Sequence, residues 1–285
     1  MNAISTNRKK YFSRPADKLF FTFGLLMLCS EIWKQLTLTF LVGHGVYNLW
    51  YFPFQLCSIP MYVFLALPFA RPEKVRRALL CFIMCYALLG GTIVFADTSG
   101  LHYSYAPLTV HSYLWHFLMI GTAVFSGIVF FREQPRTASS RPFSRRSRLL
   151  LSLHAFAGAT ALYLACCLIA VGINLSLDKY GTINMFYINP DYPMQQIVFR
   201  DIAARTGNLP SILIYAASTV FGAFLLCLIW NGIFHLISSR QKRNRNLPEP
   251  LHPLPLLSEP SCLHFFHPSP WQCAENPCPH LFSGG

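Results

Sequence analysis

Charge is scarce in this chain. Of 285 residues only 12% are charged and just 11 are acidic, whereas soluble domains carry about 25% charged residues. With 53% hydrophobic content, that scarcity excludes an ordinary soluble domain. A glycine-rich phosphate loop and an HExxH helix are both missing, so neither ATPase nor zincin chemistry has support. No internal repeat is visible, which weakens a transporter built from inverted halves. A disulfide framework is missing too: seven of the ten cysteines sit in apolar runs, where a thiol behaves as a small apolar group. His264, His267, Cys273 and Cys278 lack the spacing of a structural zinc site. No metal and no cofactor is expected.

What is abundant is long apolar sequence. Runs at about 19–41, 51–70, 77–97, 109–131, 149–175 and 211–236 each approach the ~20 residues that cross a bilayer. The expected fold is an all-α, polytopic integral membrane helical bundle of about six transmembrane helices. Residues 1–18 form a basic N-terminus and 19–236 the transmembrane domain, with a long loop at 176–210. Residues 237–285 form a basic, then proline-rich tail. That tail holds nine of the twenty prolines, cannot continue as a regular helix, and is expected to be disordered. No small-residue cleavage site follows the first run, so it is expected to be retained rather than removed as a signal peptide.

The net charge of +12 could suggest nucleic acid, but the basic residues alternate with topology. The N-terminus, 71–77, 132–148 and 237–246 carry five, four, six and four Lys or Arg, while 42–50 and 98–108 carry none. The positive-inside rule places the basic segments, and both termini, in the cytoplasm. Anionic lipid rather than nucleic acid is then the partner of the basic charge.

Ionisable and polar residues inside spans are costly and mark sites. Glu31 and Lys34 lie three apart on one helix face, either paired with each other or bracketing a polar cavity. Gln55, Cys57 and Ser58 fall between Pro53 and Pro60 in FPFQLCSIP, where the helix is expected to be bent or locally opened. At 1.5 Å per residue, Cys57 and His116 both lie about 10 Å inside the outer boundary. Glu31 and His111 share that outer level, whereas His154 and His235 sit near the opposite side. A thiol and two imidazoles at one depth permit nucleophilic chemistry: a histidine can act as base for the thiol, and an acid can orient the histidine. His111 and His116 are about 140° apart around the helix and cannot both face Cys57. In the loop, QQIVFRDIAARTGN suits a short amphipathic helix ended by Thr206-Gly207-Asn208, and this segment can lid a cavity among the spans.

FPFQLCSIPMY, YAPLTVHSYLWH, and NMFYINP followed by a segment with Asp201 together resemble the YwaF family of integral membrane proteins, over roughly residues 31 to 232. That family is similar to a eukaryotic transmembrane acyltransferase that places polyunsaturated acyl chains on ether phospholipids. The resemblance implies a bacterial cell membrane and a cysteine–histidine pair in acyl transfer: Cys57 as the cysteine, His111 or His116 as the histidine. Gln55, Glu31, Asn184 and Tyr187 are the substrate-contacting candidates, with a lysolipid or acyl-lipid as substrate. Two features depart from the family: the short, basic N-terminus lacks a further hydrophobic segment, and the proline-rich tail has no counterpart. The other reading is a non-enzymatic small-solute transporter or envelope-complex protein using the same polar cluster as a binding cavity.

Overall fold

The computed structural model describes residues 14–133 and 145–245. The first 13 residues, most of the 132–148 connection and the proline-rich tail with its His and Cys pairs lie outside the described residues. The chain divides at Lys242/Arg243 into two units, and the helical bundle is the unit that ends at Lys242.

Every regular element among the described residues is a helix. In chain order they form α1 (Pro15–Leu36), running on as a π-helical turn (Thr37–Val42); α2 (Ile59–Ala66), with a 3-10 turn (Leu67–Phe69); and α3 (Glu73–Phe82). A second π-helical turn (Ile83–Ala87) joins α3 to α4 (Leu88–Ile93). Then come α5 (Ala106–Arg132), α6 (Arg145–Leu177), α7 (Phe199–Thr206) and α8 (Asn208–Arg245). Prolines at the first turns of α1, α2 and α5 start helices where a missing N–H costs nothing. The expected amphipathic helix is α7, and it ends at Gly207, whose φ of +93° suits glycine.

Among the described residues, five helices are long and apolar enough to cross a membrane: Pro15–Val42, Glu73–Ala96, Ala106–Arg132, Arg145–Tyr180 and Asn208–Gln241. The protein is therefore a polytopic all-α membrane protein. Its outer surface is apolar, with Leu26, Phe40, Leu168, Leu213 and Phe221 exposed, as expected where lipid is the solvent. The run expected at 51–70 differs. It forms a helix of only 11 residues, Ile59–Phe69, about 16 Å long against a ~30 Å hydrocarbon core. Pro53 and Pro60 are the physical reason. The six residues before Ser58 make isolated turns instead of a helix, with Phe54 N donating to Phe52 O at 2.7 Å and Ser58 N to Gln55 O at 2.8 Å.

Ion pairs fix which ends lie together. Arg14 bonds Glu73 at 2.7 Å and Glu133 at 2.6 Å, while Arg76 bonds Asp17 at 2.7 Å and Glu133 at 2.9 Å. The starts of α1 and α3 and the end of α5 therefore share one face, the basic face. The connecting loops at 97–105 and 178–207 share the other, the loop face. Since α1 runs from the basic face to the loop face and α3 starts again at the basic face, residues 43–72 return between the faces as an irregular segment and the short α2.

The α3–π–α4 segment is the hub. Leu80 through Ala87 are all buried. Tyr86 stacks on Phe82, Phe156 and Tyr163 and shares a 2.8 Å hydrogen bond with Thr160, so its hydroxyl is satisfied in an apolar interior. Gly127 of α5 lets the Trp230 ring of α8 approach, since a Cβ there would lie 2.6 Å from ring carbons.

Candidate functional site

The irregular segment before α2 places Cys57 against α5. The Trp115 indole N–H donates to the Cys57 carbonyl at 3.1 Å. That carbonyl precedes the first turn of α2, and opening of the helix at the prolines leaves it free to accept. The same indole ring packs against His111 at 5.7 Å, so this bond sets the Cys57 backbone against the stretch of α5 that carries His111 and His116. The thiol is half-buried, and Lys34 and Glu31 are the charged side chains whose fields reach it.

Glu31 and Lys34 do form an ion pair, at 2.7 Å. Gln35 donates to Glu31 at 2.6 Å and to the Tyr51 carbonyl at 2.7 Å, tying the pair to the chain just before FPFQLC. Glu31 is 4% exposed, so this carboxylate depends on both partners for its hydrogen bonds.

The two histidines have different settings. His111 Nε2 shares a 2.7 Å hydrogen bond with the Ser30 hydroxyl, and its ring lies between Trp33 and Trp115 at 5.4 and 5.7 Å. It joins α5 to α1. His116 is buried, with Nδ1 2.8 Å from the Ser112 carbonyl. A carbonyl only accepts, so Nδ1 carries the proton, and the neutral ring keeps its lone pair on Nε2. Among the described residues, no hydrogen bond joins the Cys57 thiol to either imidazole.

The NMFYINP loop closes over this region. Gln55 clamps it with both ends of its amide: Nε2 donates to Asn184 O at 2.9 Å, and Phe186 N donates to Oε1 at 2.8 Å. Asn174 holds Met185 in the same two-ended way, at 2.7 and 3.1 Å. Asn184 Oδ1 accepts from Asn189 N at 3.0 Å. These amides satisfy a buried, irregular backbone that no helix or sheet could satisfy. They also hold Phe186 and Tyr187 at φ of 56° and 58°, a left-handed pair that costs on the order of 1–3 kcal/mol per residue. The Phe186 ring is thereby buried against Phe54 and Tyr163. Gln55 and Asn184 thus act together as loop anchors.

Tyr187 stands on the thiol side of this loop. Burial pushes its hydroxyl up to about 12, and the Cys57 charge adds to that. The Tyr103 hydroxyl is also pushed up, by burial first and then by Tyr51 and Cys57. Both phenols remain protonated donors beside the cysteine. Sequence reasoning missed Tyr103 and gave Trp115 no part in the site. The signal for Trp115 was its place directly before His116 in the tract YAPLTVHSYLWH.

At the basic face, Arg76 is 3% exposed and grips Glu133 with two nitrogens while pairing with Asp17. Burial alone would raise the Glu133 carboxyl, but Arg76 and Arg14 hold it below its ordinary value. This network joins three helices and is structural.

No family model, curated protein or solved structure matches this chain.

Proposed function

We propose that this polytopic membrane protein transfers acyl chains between lipids through a thioester on Cys57, with His116 as the general base. The observation that carries the reading is the Trp115–Cys57 bond, which docks the cysteine on the turn bearing a histidine of fixed tautomer. The resemblance of FPFQLC, HSYLWH and NMFYINP to the YwaF family points the same way. His111 is less suited, because its Nε2 is already engaged by Ser30.

In this mechanism His116 Nε2 takes the Cys57 proton once a bound acyl ester has closed the gap, since such contacts tighten only with substrate. The thiolate attacks the ester carbonyl. A C–S bond forms, the ester C–O bond breaks, and the imidazolium returns its proton to the departing lysolipid oxygen. A second lysolipid hydroxyl then attacks the thioester, giving its proton to His116 as the new C–O bond forms and the C–S bond breaks. Protonated Tyr103 and Tyr187 supply hydrogen bonds to the oxyanion at each stage. Glu31 and Lys34 set the field at the thiol. The positive-inside rule puts the basic face in the cytoplasm, which places the thiol toward the outer leaflet of a cell membrane.

The test is acyl exchange between a labelled phospholipid and a lysolipid by the purified protein in detergent or vesicles. Cys57→Ser and His116→Ala are expected to abolish exchange, and His111→Ala to retain a measurable part. Trapped protein is expected to carry a hydroxylamine-labile acyl group on Cys57. Full exchange in Cys57→Ser would refute the proposal. Solute uptake that depends on Glu31 and Lys34, with no exchange at all, would favour the solute-binding reading instead.

A further inference from the structure

Three thiols meet in the interior, away from Cys57. Cys81 of α3, Cys85 of the π-helical turn and Cys227 of α8 are each fully buried, and their sulfurs all lie within 4.8 Å of one another. We propose that these three cysteines form a binding site for a soft, thiophilic d10 metal ion, Cu(I).

The sulfur spacing fits. A metal–sulfur bond of about 2.3 Å puts three ligands of a planar triangle about 4.0 Å apart, so closing onto an ion needs sub-ångström side-chain movement. The donor set selects the ion. Among the described residues no imidazole or carboxylate joins the group, and Zn(II) in a structural site takes four ligands. Three sulfurs in a dry apolar shell suit Cu(I), which thiolates select.

The backbone is built around the cluster. Cys81 and Cys85 are four apart on one face, and Cys85 lies inside the π-helical turn, an irregularity that concentrates at functional sites. The Trp230 indole donates to the Met84 carbonyl at 3.0 Å. That bond fixes α8 against the turn and holds Cys227, three residues earlier, opposite the other two thiols. Asn231 supports Cys227 in turn: its Nδ2 bonds the Cys227 carbonyl at 2.8 Å and lies 3.8 Å from the sulfur, and its Oδ1 accepts from Ser152 at 3.0 Å. An amide aimed at a ligating sulfur is the kind of outer partner that orients metal ligands.

A separate observation concerns charge. Arg77, one turn before Cys81, is 5% exposed, and none of its three guanidinium nitrogens has a hydrogen-bond partner. It stacks over Phe130 at 4.4 Å. The charges that reach it are those of Glu73, Cys81 and Glu133, and both carboxylates are already taken by Arg14 and Arg76. A buried cation without an anion is costly. Loading supplies the anion: Cu(I) binds as three S–Cu bonds form and three thiol protons leave, giving a complex of charge −2 beside Arg77. Copper enters as Cu(I), so no electron is transferred.

The test is anaerobic titration of the purified full chain with Cu(I) against a coloured Cu(I) chelator. One tightly held equivalent is expected, with three sulfur neighbours by X-ray absorption. Cys85→Ala and Cys227→Ala are expected to weaken it at least 100-fold, while Cys166→Ala with Cys167→Ala leaves it unchanged. A second measurement needs no variant: Cu(I) should protect Cys81, Cys85 and Cys227 of the native protein from alkylation on detergent unfolding, read by mass spectrometry. Binding that survives Cys227→Ala, protection of other cysteines only, or preference for Zn(II) over Cu(I) would overturn the proposal.

Discussion

Removing Arg76 tests the basic-face network. Its guanidinium pairs with Asp17 at 2.7 Å and bonds Glu133 at 2.9 and 3.0 Å, and Arg76 and Asp17 are each 3% exposed. Arg76→Met keeps most of the side-chain volume but strands the Asp17 carboxylate, whose remaining bond is a 3.3 Å contact from Arg14 N. Glu133 keeps Arg14, whose side chain is 36% exposed, so the loss there is smaller. Breaking one half of a buried pair costs about 3–5 kcal/mol, and most of it should fall on Asp17. The assay is thermal unfolding in detergent, followed by loss of the monodisperse peak and by tryptophan fluorescence. Arg76→Met should be strongly destabilised, and Asp17→Asn in the same background should recover most of the loss, because the stranded charge is gone. If Arg76→Met melts like the native protein, the network is ornamental and the common face of α1, α3 and α5 needs another explanation.

Other expectations rest on the same contacts. Glu133 has a folded-state pKa held below its ordinary value, so its contribution is present above about pH 4.3 and disappears as pH falls through the lower folded value. Glu133→Gln should therefore flatten the acid limb of a stability–pH profile, and an unchanged acid limb would contradict the assignment. Gln55→Ala removes two bonds to the NMFYINP backbone and should cost about 1–3 kcal/mol for each buried group left unpaired; hydrogen exchange at residues 183–189 should speed up while α3 stays protected. Gly127→Ala pushes a methyl group against the Trp230 ring and should destabilise by about 1–3 kcal/mol, measured by the same thermal assay.

Much of the architecture was legible because the bilayer demands it. Apolar length located all five long helices to within about five residues of their observed bounds, and three-residue spacing found the Glu31–Lys34 pair. The second run was legible as kinked but not as short, because hydropathy counts apolar residues without registering where Pro53 breaks the helix. Arg76 and Arg77 were counted as loop charges that report topology, yet both are buried. Their partners Asp17, Glu133 and Phe130 come from distant parts of the chain, which no local pattern shows. The thiol cluster was half visible, since Cys81 and Cys85 share a helix face; Cys227 joins only through the docking of α8. Of the acyl-transfer candidates, depth alone placed Cys57 and His116 at one level. The Trp115 bond to the Cys57 carbonyl needed the fold.

In the proposed reaction Cys57 is the nucleophile and His116 its base. The most direct measurement is the rate at which a lipid-like, thiol-directed probe labels each cysteine of the purified protein. Cys57 should label fastest, well ahead of Cys29, which is exposed on α1. That advantage should vanish in His116→Ala and persist in His111→Ala. Labelling of Cys57 no faster than Cys29, or a rate indifferent to His116, would contradict the account.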